Sequence, residues 1–145
     1  MRLWALLTAP GYAAQSRVRT GRWAVVESYL DPTPPDAAAQ VERALRRAAQ
    51  ACGVTEAQLD ALGEPPLRVR VMAPSAIQEI GEKAGLLVPG GVGVHALYYP
   101  QARLVLTRDF DAGILTHELT HYLQDQVLHL PRAQWERGAT AAERA

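Results

Sequence analysis

His117-Glu118-Leu119-Thr120-His121-Tyr122-Leu123-Gln124-Asp125-Gln126 sets two imidazoles four residues apart, with a glutamate directly after the first. On a helix that spacing is one turn plus about 40°, so both rings leave the same face and converge on a common point. There they can meet one ion at ~2.0–2.1 Å. Glu118 lies beside the pair rather than between its members, a position from which a carboxylate takes a proton from metal-activated water. With only four His in 145 residues, chance would give the pattern in ~0.7% of chains of this composition. That weighs against two merely superficial histidines.

The helix around the motif is expected over residues 112–128, with Asp109 or Asp111 as its N-cap. Leu115, Leu119, Tyr122, Leu123 and Val127 supply a back that can be buried, while His117, His121 and Gln124 line another side. Just upstream, residues 94–99 and 103–107 are two β-rich runs joined by Pro100-Gln101-Ala102, a connection that suits antiparallel pairing. Downstream, Pro131 fits the first turn of a last helix, where its missing N–H does no harm.

Zinc that activates water takes three protein ligands and keeps a fourth position open. No third His follows His121 at metzincin spacing. The chain covers ~10 Å from His121 to the helix end near Leu128, and an antiparallel helix returns ~7.5 Å from Pro131 to Glu136. A tight turn over His129-Leu130-Pro131 therefore sets Glu136 level with His121. Glu143, two turns further on, overshoots by the same estimate and is the less favoured ligand. Gly138, Ala139, Ala141 and Ala142 are small enough for the two helices to approach closely.

The rest of the chain reads as the frame of this hairpin. Residues 22–28 form a strand ended by Asp31-Pro32-Thr33-Pro34-Pro35. A helix follows from about Asp36, with Val41, Leu45, Ala48 and Cys52 on one stripe and Gly53 as its C-terminal cap. Thr55 and Gln58 make a capping-box pattern, as do Ser75 and Gln78 ahead of a helix with Ile77, Ile80 and Ala84 in its core face. Between them Leu67, Val69 and Val71 alternate with Arg68 and Arg70, the pattern of a strand with one solvated face. Pro89-Gly90-Gly91-Val92-Gly93 lacks the Gly-Lys-Ser/Thr ending of a phosphate loop and is read as an approach to the hairpin. The element order gives an α+β domain with a mixed twisted sheet.

The sequence is long enough for one core, and residues 22–145 read as a single domain. Residues 1–21 form an N-terminal segment. Its Leu3-Trp4-Ala5-Leu6-Leu7 run has the order of a secretory signal but lasts only about seven residues, so a packed apolar segment and a cytoplasmic location are expected over secretion. No stretch reaches the ~20 apolar residues of a membrane span. Fifteen Lys+Arg against fifteen Asp+Glu provide no field to concentrate the chain on nucleic acid or anionic lipid. One cysteine, Cys52, excludes thiolate zinc ribbons.

The segment H-E-L-T-H-Y-L-Q-D-Q at residues 117–126, preceded by paired strands and followed by Glu136-Arg137-Gly138-Ala139-Thr140, resembles bacterial gluzincin-type zinc metallopeptidases. In one group of these, H-E-L-T-H-x-L-Q-D-Q precedes E-G-x-A-T on a glutamate helix; here Arg137-Gly138 replaces the usual Gly-x. The resemblance spans residues 94–145. It implies a zincin-like core, zinc on His117, His121 and Glu136, Glu118 as general base, and a peptide or protein substrate. It also implies that strand 103–107 is the edge strand above the cleft. Tyr98, Tyr99 and His129 are the candidates for stabilising an oxyanion, and His95 reads as a strand residue. Beside the peptidase stands a second reading, a regulatory or assembly domain that holds zinc without cleaving anything.

Overall fold

The computed structural model describes residues 17–87 and 94–144. The apolar run at residues 3–7 and the glycine-rich segment 89–93 lie outside them. The β-branched run before the proline cluster forms β2 (Ala24–Ser28), and it pairs antiparallel with a strand that hydropathy alone did not announce, β1 (Arg17–Thr20). Three of the four β1 residues are exposed, so the strand carries no alternating apolar signature.

From β2 the chain crosses through α1 (Ala37–Cys52) and the short α2 (Glu56–Asp60) to β3 (Leu67–Val71), which lies parallel to β2. Gly53 closes α1 in the left-handed conformation at φ 71°, its N–H reaching the carbonyls of Ala49 and Gln50. At the start of α2 the Thr55–Gln58 capping box is formed in both directions. The second expected box is not. Helix α3 (Pro74–Lys83) is capped by Ala73 without a side-chain bond, because Pro74 takes the first helical position and draws Ser75 inside the helix.

The hairpin is present as β4 (Ala96–Tyr99) and β5 (Leu104–Thr107), joined by a 3-10 turn over Pro100–Ala102. Sheet order is β1-β2-β3-β5-β4, so β5 pairs with β3 on one side and β4 on the other. The strand at 103–107 is therefore interior, and β4 is the edge. All four β5 residues are buried, as befits a strand covered on both faces and paired along both sides.

Helices α4 (Ala112–Gln126) and α5 (Trp135–Arg144) follow. Together with α1 they cover one face of the sheet, where Val26, Val69 and Val105 meet Leu45, Leu115, Leu119 and Leu123. The other face carries α3, with Ile77 and Ile80 on Met72, Leu97, Leu104 and Leu106. The architecture is α+β with a mixed five-stranded sheet and, among the described residues, five α-helices. On β3 the two arginines do not share one solvated face. Arg68 is half-exposed, whereas Arg70 is 5% exposed and paired with Glu27 of β2. Among the described residues no helix is long and apolar enough to cross a membrane.

Candidate metal centre

Helix α4 begins at Asp111, whose carboxylate accepts from the Ile114 N–H at 2.9 Å, while Asp109 in turn accepts from the Asp111 N–H. Its back is buried through Leu115, Leu119, Tyr122 and Leu123. The opposite side carries His117, half-buried, and His121, 7% exposed, with ring centroids 4.8 Å apart and perpendicular planes. After the turn, in which His129 adopts a left-handed φ of 50°, the chain returns antiparallel through a 3-10 turn (Arg132–Gln134) into α5. Ala139 and Ala142 of α5 are buried, and the helix packs against α4 and α1.

This return brings Glu136 to the histidines. Its carboxylate lies 2.8 Å from His121 Nε2 and 3.3 Å from His117 Nε2. The three potential ligand atoms lie within 4.8 Å of one another. A tetrahedral ion with bonds of ~2.0–2.1 Å would hold its ligand atoms roughly 3.3 Å apart. Two of the three separations already sit near that value, and Glu136 is an exposed side chain with freedom to adjust.

The far nitrogens of both rings are engaged. His117 Nδ1 is 2.8 Å from Glu143 Oε1. His121 Nδ1 is 3.2 Å from Gln124 Oε1, and the amide of Gln124 is oriented by donating from Nε2 to the Trp135 carbonyl at 2.9 Å. Each Nδ1 thus has an oxygen beside it to accept its proton, and each Nε2 faces the Glu136 carboxylate, so a metal that displaced the Nε2 protons would find both rings held in the ligating orientation. Burial pushes the His121 pKa down, favouring the neutral imidazole that a metal needs.

Gln124 reaches Trp135 only because position 138 is glycine. A Cβ there would stand 2.6 Å from Gln124 Nε2. Glu143, the less favoured ligand of the sequence analysis, sits instead against the far nitrogen of the His117 ring. Side chains lean toward the N-terminus of their own helix, and in an antiparallel pair this tilts His117 and Glu143 toward each other, shortening the apparent overshoot. Arg47 of α1 donates to the Glu143 carbonyl at 2.7 Å and pins that end of α5.

Glu118 is half-buried beside this cluster. Burial pushes its carboxyl up to about 7; the negative Glu136 and Glu143 push the same way, and His117 opposes them. It lines a cleft of about 230 Å³ together with His121, Glu136, Trp135, Arg132 and the β4 residues Ala96 to Tyr98. No family model, curated protein or solved structure matches this chain. The meaning of the site rests on its own chemistry.

None of the three expected oxyanion donors faces the cleft with a free hydrogen. Tyr98 lines it, but its hydroxyl donates to Asp125 Oδ2 at 2.7 Å, and burial raises its pKa well above the ordinary tyrosine value. Tyr99 packs with the cluster on the α3 side of the sheet, and His129 is exposed on the turn. His95 precedes β4, where its carbonyl accepts from the Arg108 N–H.

Proposed function

We propose that this chain is a zinc-dependent peptidase with a zincin-like core of gluzincin type. His117, His121 and Glu136 hold the metal, and Glu118 is the general base. The observation that carries the reading is the convergence of His117 Nε2, His121 Nε2 and the Glu136 carboxylate from two helices, with an oxygen backing each Nδ1, a donor set that suits zinc. A zinc ion bound there supplies a Lewis acid that lowers the pKa of water and polarises a carbonyl.

The protein's own groups do the rest. Glu118 takes a proton from the attacking water and delivers it to the departing amine, and its half-buried setting raises its basicity above that of a free carboxylate. Beyond β4 no strand is paired among the described residues, so its outer edge is the place for an extended peptide to add as a further strand above the cleft. This role passes to β4 from the interior strand 103–107.

One observation favours the second reading, a zinc-holding regulatory domain: the Tyr98 hydroxyl is committed to Asp125, and the cleft gains no oxyanion donor from it. Against it stands Glu118, a carboxylate with no structural task in a closed site. The deciding experiment measures bound zinc and peptide hydrolysis in wild type and in Glu118→Gln. The expected result is zinc retained in both, with hydrolysis lower by ~10²–10⁴-fold in the variant because an amide accepts no proton. A zinc-loaded wild type that cleaves no member of a broad peptide library gives the regulatory reading the lead.

A further inference from the structure

Arg132 opens the 3-10 turn before α5 and stands at the rim of the cleft that contains Glu118, His121 and Glu136. Four residues on from it is Glu136, its ordinary ion-pair partner on a helical stretch. Glu136 turns instead to the two imidazoles. Among the described residues Arg132 has no carboxylate within ion-pair distance. Its guanidinium lies 5.7 Å from the centroid of Trp135, and the same indole packs 5.6 Å from His121. A cation is thus parked on an aromatic plate whose next neighbour is a ligand residue.

The remaining described residues around the cleft are the apolar or aromatic Leu86, Ala96, Leu97 and Tyr98, on the side of the β4 edge. Arg132 is the one cation among them. With Glu136 drawn to the imidazoles, a peptide carboxylate arriving at the rim meets Arg132. Its planar fork matches a carboxylate in two parallel hydrogen bonds, and stacking on Trp135 leaves those N–H donors available.

We infer that Arg132 makes the cleft selective for peptides that bring a carboxylate to its rim, from an acidic side chain or a free C-terminus. For turnover this rests on the peptidase reading, but binding does not. The test titrates zinc-supplemented Glu118→Gln protein, which leaves peptide intact, with short peptides by calorimetry. One arm compares aspartate with asparagine at a single position in C-terminally amidated peptides. The other compares a neutral peptide as free acid and as amide.

In at least one arm the charged member is expected to bind about tenfold more tightly, and that arm identifies the source of the carboxylate. Adding Arg132→Gln should abolish the difference while leaving neutral peptides bound as before, and Arg132→Glu should turn the preference toward lysine. Equal binding of charged and neutral peptides, a preference that survives Arg132→Gln, or no binding at all would overturn the inference. Carboxylate preference without any turnover by wild type defeats the peptidase reading alone, whereas turnover without preference defeats this inference alone.

Discussion

Glu143 and Gln124 set an oxygen against the Nδ1 atoms of His117 and His121, and replacing them separates orientation of a proposed ligand from ligation itself. Glu143→Ala should lower zinc affinity by ~10–100-fold through loss of the tautomer lock. Glu136→Ala removes a proposed ligand and should weaken binding far more. Competition with a chromophoric chelator measures both, and nitrogen NMR of His117 should report mixed tautomers in the Glu143 variant alone. Equal losses in the two variants would refute the assignment of roles. The shared face of His117 and His121 was legible from spacing because a helix converts sequence separation directly into angle. The place of Glu136 beside His121 followed from helical rise. The true place of Glu143 did not, because the rise of Cα atoms ignores the lean of side chains. Arg70 was misjudged for a related reason: alternation on β3 says which side a residue faces, and only the neighbouring Glu27 decides whether that side is dry.

At the level of elements, the contact between α4 and α5 depends on a missing methyl group. Gly138→Ala would gain about 1 kcal/mol in helix propensity but press its Cβ on Gln124 Nε2 and break the buried bond to the Trp135 carbonyl. Leaving such groups unpaired costs about 1–3 kcal/mol. We expect net destabilisation in urea titration and weaker zinc binding, whereas Ala141→Gly, on the exposed side of α5, should leave zinc affinity unchanged. At the other end of the sheet, Arg22 and Trp23 join the β1–β2 hairpin to Asp60 of α2. Hydrogen bonds from Arg22 and then Trp23 hold the Asp60 carboxyl below its ordinary pKa. The contribution to stability is therefore complete above the unfolded value near 4 and disappears as pH falls through the lowered one. Asp60→Asn should reduce the thermal midpoint at neutral pH, with the gap to wild type closing in acid; a gap independent of pH would contradict this. The hairpin of β4 and β5 was legible as a pair, but its orientation in the sheet was not. Pairing is a local property, whereas the choice of inner strand depends on β3. The near-continuous apolar Leu104-Val105-Leu106 was the available clue.

For the whole molecule, a metal held between α4 and α5 would tie α5 to a helix that covers the sheet. Ligand that binds the folded state alone stabilises it by about 2.7 kcal/mol at a hundredfold excess over Kd, and in a chain of this size each kcal/mol moves the melting midpoint roughly 2–4 °C. Chelation should lower the midpoint of wild type and leave His121→Ala unmoved, as read by calorimetry; identical responses would place zinc elsewhere. Such coupling makes the separations from the second histidine to the glutamate, and from the glutamate to the alanines behind it, a ruler. Ala139 and Ala142 seat α5, and one residue inserted between Glu136 and Ala139 would turn the two segments about 100° relative to each other. The helix would then either keep its alanines seated and swing the carboxylate away from the imidazoles, or keep the carboxylate and lift the alanines out. Insertions and deletions between positions 121 and 139 should consequently be far more damaging than substitutions there, although most of the altered positions touch no ligand.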